Sequence, residues 1–173
     1  NISFKKIWGG PSCVSAGDVN GDGLADILVA SATKSNIIYF LQIAANGNNN
    51  NNGNGGNGNN DGGEEEIYFS AGKNLEMGGA QSWLVLADLN NDGRLDASAP
   101  LAGAPRVAVS MNSNNGFLQK NLYTTGISPP RGLATGDLND DGHADLFTAS
   151  PEGHGFLVAG DGAGNFTVHA FGE

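Results

Sequence analysis

Short apolar runs alternate along the chain with turns rich in Gly, Asn, Asp and Pro. Most runs span four to seven residues and are rich in β-branched and aromatic side chains, which is typical of strands. No segment keeps a helical period of 3.6 residues. The sequence therefore predicts an all-β chain, with strands at 1–8, 13–16, 27–30, 37–43, 67–69, 82–87, 97–102, 106–111, 117–123, 132–136, 146–149, 156–159 and 166–171.

Three nine-residue acidic segments separate pairs of these strands, at 18–26, 88–96 and 137–145. Each has an oxygen-bearing side chain at its first, third, fifth and ninth positions and a Gly at its sixth. Alternate side chains of a tightly curled loop can converge on one point, and the Gly permits the backbone that the curl needs. Crowded carboxylates repel unless a cation lies between them, and an all-oxygen donor set selects a hard ion. The sequence predicts one Ca²⁺ per loop, about three in all.

The spacing of the acidic loops indicates a repeat. Their first residues are 70 and 49 positions apart, and the first interval shrinks to about 52 without the tract at 46–63, which contains only Asn, Gly and Asp. A period of about 50 residues with about four short strands per unit is typical of β-propeller blades. The tract itself cannot bury apolar area, so we expect a flexible loop inserted between two strands.

We divide the chain into a first repeat at 1–45, the low-complexity insertion at 46–63, a second repeat at 64–123 and a third at 124–173. Residues 165–172 align without gaps on residues 1–8, which predicts that the first repeat at 1–45 begins with one extra terminal strand. The second repeat should be irregular, because its post-loop run is weakly apolar and Pro100 cannot donate to a ladder. Closed propellers have about four to eight blades, so three predict an incomplete propeller or part of a larger assembly.

The loops differ from helical calcium motifs. An EF-hand needs an acidic residue at position twelve and flanking helices, whereas these loops carry Val29, Ala99 and Thr148 there, between β-like runs. A dockerin-type loop fails for the same reason. The nine-residue loop within a unit of about 50 residues resembles the FG-GAP repeat of integrin α-subunit propellers and the related VCBS repeats. The post-loop segment 146–151 and the Gly-rich turn 160–166 are also similar to that family.

The resemblance implies a ligand set in each loop, consisting of four side chains and one backbone carbonyl. The carbonyls would be those of Leu24, Arg94 and His143. The side chains would be Asp18, Asn20, Asp22 and Asp26 in the first loop, Asp88, Asn90, Asp92 and Asp96 in the second, and Asp137, Asn139, Asp141 and Asp145 in the third. Plain Asx-rich turns without metal are the alternative, but such turns do not require an acid at a fixed ninth position.

Charge and composition exclude several classes of binding partner. The formal net charge of −10 argues against nucleic acid and anionic membranes. Nine of the 18 acidic residues stand at the first, fifth and ninth loop positions, so three bound divalent ions would leave a charge of about −4. No apolar run approaches the roughly 18 residues of a membrane span. The lone Cys13 excludes an internal disulfide.

An extracellular or cell-surface location is expected. Calcium sites of micromolar to millimolar affinity fill constitutively outside cells. Glycosylation triplets occur at Asn1 and Asn165. The sequence starts at Asn1 without a signal peptide, so we expect a mature or excised piece.

No catalytic constellation is evident. The three His residues are scattered, Cys13 lies on an apolar strand, and no nucleophile–base motif occurs. We expect a non-enzymatic extracellular scaffold for adhesion or assembly, whose partners are other copies or neighbouring repeats, or a protein or glycan ligand. Strand sharing through the duplicated end strand would build a polymer or filament. The alternatives are a lectin-like propeller and an accessory propeller of a larger secreted enzyme.

Overall fold

The computed structural model describes residues 9–44, 67–118, 120–126 and 128–171. These residues form sixteen β-strands, and none of them forms a helix that could cross a membrane. The strands are β1 (Pro11–Gly17), β2 (Asp26–Ser31), β3 (Asn36–Phe40), β4 (Gln42–Ile43), β5 (Tyr68–Phe69), β6 (Lys73–Glu76), β7 (Val85–Ala87), β8 (Asp96–Pro100), β9 (Arg106–Ser110), β10 (Asn112–Ser113), β11 (Gly116–Phe117), β12 (Asn121–Thr124), β13 (Gly132–Gly136), β14 (Asp145–Ala149), β15 (Gly155–Gly160) and β16 (Phe166–Phe171).

Twelve of the strands form three antiparallel sheets of four strands each. Their orders are β1-β2-β3-β6, β7-β8-β9-β12 and β13-β14-β15-β16, so each sheet follows the chain from one edge to the other. Two short ladders, β4–β5 and β10–β11, lie outside these sheets. The all-β, blade-type architecture predicted from the sequence is confirmed.

Two separate cores lie between consecutive sheets. The first core combines Leu28 and Ile37 of the first sheet with Ala97, Ala99 and their neighbours of the second. The second combines Val107 and Val109 of the second sheet with Leu133, Leu146 and Val158 of the third. Successive side chains of a strand point to opposite faces. The middle sheet therefore covers the first sheet with one face and the third with the other.

The first sheet extends beyond the boundary drawn from the sequence. The sequence places the start of the second repeat at residue 64, but β6 pairs with β3 from Asn36–Glu76 to Tyr39–Lys73 and so belongs to the first sheet. β6 was not predicted, because Leu75 is the one apolar residue among its four. The tract at 46–63 thus falls between the third and fourth strands of the first sheet. The tract and the predicted strand at 1–8 lie outside the described residues.

The expected irregularity of the second repeat is wrong. β8 is a regular five-residue strand with all five residues buried, paired with β7 on one side and β9 on the other. Its small side chains suit a strand that is covered on both faces. Hydropathy alone gives such a strand a weak signal. Pro100 is the last residue of β8, so its missing N–H does not interrupt the strand.

Candidate calcium-binding loops

Each acidic loop occupies the same place in its sheet. It joins the first strand to the second, β1 to β2, β7 to β8 and β13 to β14. The ninth residue of each loop is also the first residue of the second strand, namely Asp26, Asp96 and Asp145. The three loops are therefore equivalent turns of equivalent sheets.

The first loop is closed by its own carboxylates and amide groups. Asp18 accepts backbone N–H groups at Oδ1 from Gly21 (2.7 Å) and Asp22 (3.2 Å), and at Oδ2 from Gly23 (2.7 Å). Asn20 Oδ1 accepts the Asp22 amide at 3.0 Å, and Asp22 Oδ1 accepts the Leu24 amide at 2.9 Å. These bonds curl the backbone around the first, third and fifth side chains.

Apart from the bond of the fourth-position amide, the same bonds recur in the other two loops. The amide of the sixth residue donates to the first Asp at 2.8 Å in the second loop and 2.9 Å in the third. The seventh amide donates to the fifth Asp at 3.0 Å and 2.9 Å. The third-position Asn donates its amide to the fifth Asp in all three, at 2.9, 3.1 and 2.7 Å. One geometry is therefore repeated three times.

The curl requires two left-handed residues per loop. The Gly at position six has φ of 83°, 83° and 86° in Gly23, Gly93 and Gly142. No atom lies within 4 Å of a Cβ built there, so backbone conformation rather than space demands Gly. Position four is also left-handed, and its Gly21, Asn91 and Asp140 belong to the residue types that best tolerate that region.

The ninth-position Asp has a role that spacing did not reveal. Asp26, Asp96 and Asp145 are fully buried, and Oδ2 of each accepts the backbone amide of the second loop residue at 2.9 Å. Oδ1 accepts a backbone amide just past or at the end of the third strand, from Gln42 (2.8 Å), Asn112 (2.7 Å) and Gly160 (2.8 Å). Each carboxylate thus ties the start of its loop to the far end of the third strand.

Polar contacts also join neighbouring loops. The buried Asn112 side chain donates to the carbonyl of Val19 in the first loop and, at 3.1 Å, to that of Leu95 in the second. Asn91 Nδ2 of the second loop lies 2.9 Å from His143 Nδ1 of the third. The side-chain contacts of Asn112 with Val19 and of Asn91 with His143 were not predicted from the sequence, because each joins two different repeats.

The local electrostatics differ between the rim and the base of the loops. The Gly23 amide, with further backbone amides, lowers the pKa of Asp18, and the His143 amide and the Asn139 side chain lower the pKa of Asp141. Burial raises the pKa of Asp96, and it outweighs the two amides that Asp96 accepts; the charges of Asp92 and Asp88 add to the rise. A cation near Asp96 would offset both the burial and the neighbouring negative charges, because it would stabilise the charged carboxylate.

A hard cation in these loops would need neutral oxygen donors beside the carboxylates. Among the described residues, no group of three or more His, Cys, Asp or Glu side chains could hold a metal ion. A cation site in these loops therefore depends also on the Asn side chain and the seventh-position carbonyl, which are oxygen donors that Ca²⁺ accepts. In the second loop a cation would also have to compete with Arg94, whose Nη2 lies 3.0 Å from Asp92 Oδ2.

The Gly-rich turn between β15 and β16 has a separate carboxylate clasp. Asp161 accepts the amides of Ala163 (2.8 Å) and Asn165 (3.0 Å) at Oδ1, and the Asn165 side chain at Oδ2. Asn165, one of the two glycosylation candidates, is exposed and engaged in this bond, whereas Asn1 lies outside the described residues.

The Asp161 clasp should make part of the stability pH-dependent. The Asn165 side chain and the two amides lower the pKa of Asp161 from its ordinary 3.8. A depressed folded-state pKa stabilises the fold above the unfolded value and loses that contribution as the pH falls. In denaturant melts, Asp161→Ala should destabilise the protein at pH 6, and the difference from the parent should shrink below pH 3.8. A constant difference across that range would contradict the clasp.

The comparison with protein families agrees with this geometry. The FG-GAP repeat model matches residues 14–41 and 130–169, which include the first and third acidic loops. The matched segments and the three four-stranded sheets suggest an integrin-like β-propeller module. The chain contains FG-GAP repeats, and the second loop, between the matched segments, repeats their hydrogen bonds. Such repeats are typical of extracellular or surface proteins. No curated protein matches the chain.

Proposed function

We propose that the chain is a calcium-stabilised, non-enzymatic extracellular scaffold used for adhesion or assembly. One observation carries the proposal: three acidic loops of identical spacing share the hydrogen bonds of their fifth, sixth and seventh amides at equivalent places in three sheets. A ligand-free turn needs no such repetition of acids at positions one, five and nine. FG-GAP repeats in a module of this kind support the extracellular setting.

The residues that would hold Ca²⁺ are the four oxygen side chains of each loop and the carbonyls of Leu24, Arg94 and His143. The bound ion would supply positive charge that offsets the repulsion among the carboxylates. The ninth-position Asp connects that site to the third strand through its bonded amide, for example at Gln42. Loading one loop would therefore stiffen the sheet that carries it.

Calorimetric titration with Ca²⁺ tests the stoichiometry. We expect about three sites per chain, the weakest in the second loop because Arg94 competes there. Asp141→Asn should remove the third-loop site, whereas Asp140→Asn should retain it. Both variants lose one negative charge at adjacent positions, but only Asp141 belongs to the proposed ligand set. Equal titrations of the two variants, or no heat from the parent chain, would refute the calcium sites.

A glycan ligand is the second candidate, because a cleft combines aromatic and polar walls. The cleft, about 300 Å³, lies between the first sheet and residues at and just after β11, and is lined by residues that include Tyr39, Phe117, Asn74 and Glu76. Tyr39 and Phe117 meet edge to face with ring centroids 5.4 Å apart. Aromatic bodies with nearby polar groups suit sugar rings. A glycan array tests this candidate function, because absence of binding at high loading would exclude it.

Assembly through strand sharing by residues 1–8 stays a prediction, because that segment lies outside the described residues. An accessory propeller of a larger secreted enzyme also stays open; the longer reading frame would show it.

A further inference from the structure

A buried side chain connects the first acidic loop to the second. Asn112 is the first residue of β10 and is 2% exposed, and its side-chain amide donates to the carbonyls of Val19 in the first loop and Leu95 in the second. Its Oδ1 accepts the amide of Ser113 at 3.0 Å. Because both the amide nitrogen and the carbonyl oxygen of the side chain are bonded, the side chain is held in one orientation.

The bridge links the ninth-position carboxylates of the two loops through only two residues. Asp26 Oδ2 accepts the amide of Val19 at 2.9 Å, and the carbonyl of Val19 accepts the side chain of Asn112. The backbone amide of Asn112 in turn donates to Asp96 Oδ1 at 2.7 Å. All four residues are buried. A continuous chain of hydrogen bonds, shielded from solvent, therefore runs from a proposed ligand of one loop to a proposed ligand of the next.

The second and third loops lack the equivalent connection. Gly160 is the equivalent of Asn112, because its backbone amide also donates to Oδ1 of a ninth-position Asp. It has no side chain that could reach Leu89, the second residue of the second loop. A Cβ built on Gly160 would lie 2.5 Å from the carbonyl oxygen of Ala144, so the backbone there leaves no room for a side chain.

The contact that does join the second and third loops is of a different kind. Asn91 Nδ2 and His143 Nδ1 lie 2.9 Å apart in an exposed position. Water competes for both groups there, so this contact restrains the two loops less than a buried hydrogen bond does. The chain therefore contains two pairs of neighbouring loops, one joined by a buried amide and the other by an exposed contact.

We propose that Asn112 couples calcium binding in the first loop to calcium binding in the second, and that the third loop is not coupled in this way. The coupling rests on the proposed calcium sites. Ordering of the first loop fixes Asp26 and the Val19 carbonyl, and the bridge then holds Leu95 and Asp96 in place. The second loop, already ordered, loses less entropy when it binds its own ion. Filling both sites therefore stabilises the chain more than two independent sites would.

Charge alone predicts the opposite sign. A divalent ion bound in one loop removes two negative charges and weakens the attraction of the neighbouring loop for a second ion. Exposed charges are largely screened beyond about 8 Å at physiological ionic strength, whereas a buried hydrogen bond is not. The charge effect acts on the second loop from both sides, so the third loop provides the reference against which the bridge can be measured.

A calcium titration that resolves the loops by NMR tests the coupling. The sixth-position amide of each loop donates to the first Asp, so the signals of Gly23, Gly93 and Gly142 report the loops separately. In about 0.15 M salt, Asp22→Asn removes a proposed first-loop ligand and should raise the Ca²⁺ midpoint at Gly93 at least about fivefold. Asp141→Asn, the matched change in the third loop, should leave that midpoint within about twofold of the parent value.

Removal of the bridge should abolish this difference. In an Asn112→Ala background, Asp22→Asn should shift the midpoint at Gly93 no more than the third-loop change does. Ser110→Ala is the matched control, because Ser110 is also fully buried and its hydroxyl donates to a backbone carbonyl at 2.6 Å, outside the acidic loops. In that background the fivefold effect of Asp22→Asn should persist.

The same measurements separate coupling from a purely structural role. If Asn112→Ala lowers the melting temperature in EGTA but the fivefold effect of Asp22→Asn survives, Asn112 only supports the fold and the coupling is wrong. If Asn112→Ala does not fold, Asp22→Asn and Asp141→Asn still decide, because equal midpoints in the second loop contradict the coupling. Calcium-dependent shifts without coupling remove only this inference, whereas no shift at any of the three glycines removes the calcium sites as well.

Discussion

Removing calcium should lower the melting temperature of the chain by about 15 °C or more. One site filled at a hundredfold excess over its Kd adds about 2.7 kcal/mol, so three independent sites add about 8 kcal/mol. In a domain of this size each kcal/mol corresponds to about 2–4 °C. Without the ion, the carboxylates of each loop, such as Asp88 and Asp92, lose the charge that offsets their repulsion.

Calorimetry in millimolar CaCl₂ and in excess EGTA measures this shift. The matched pair in the third loop separates ligand loss from charge loss: Asp141→Asn should lose about a third of the calcium-dependent shift, and Asp140→Asn should keep it whole. In EGTA the two variants should melt together. An EGTA shift of under 2 °C for the parent chain would rule out a structural role for the ion.

Local signals in the sequence predict much of this fold. The acidic loops recur at a fixed spacing, and the strands beside them are apolar runs, so β2 and β14 follow from the sequence with small errors at their ends. The regularity of β8 could not be predicted in this way, because its small side chains are explained by the two sheets that cover it. β6 could not be predicted either, since one buried Leu75 gives no periodic pattern and its partner strand precedes the Asn/Gly tract.

The candidate site also has features that the sequence predicts and features that only the structure shows. Positions one, three, five and six can be inferred from spacing, because their hydrogen bonds remain within nine residues. The second function of position nine cannot, because its partners at Gln42, Asn112 and Gly160 lie 15 or 16 residues further along the chain. Links such as Asn91–His143 join different repeats, and only the packing of the sheets places them together.

Asp96→Ala should destabilise the chain by about 2–4 kcal/mol even in EGTA, where its role as a metal ligand is absent. The variant leaves the amides of Leu89 and Asn112 without an acceptor in a buried setting, and each unsatisfied group costs about 1–3 kcal/mol. Burial raises the pKa of Asp96, so losing its charge recovers part of that cost. Against a total stability of about 5–15 kcal/mol, the net loss is large.

Urea melts in EGTA measure this effect, with Asp92→Ala as the matched control in the same loop. Asp92 lies at the exposed rim, where its ion pair with Arg94 is worth less than about 1 kcal/mol. In EGTA we therefore expect the free energy of unfolding of Asp96→Ala to lie far below that of the parent, and that of Asp92→Ala to lie close to it. In CaCl₂ both variants should lack the calcium site of the second loop, so the stability of Asp92→Ala should then be well below that of the parent. Similar losses for the two variants in EGTA would mean that Asp96 serves the fold only as a ligand, and that its bonds to Leu89 and Asn112 do not hold the blade together.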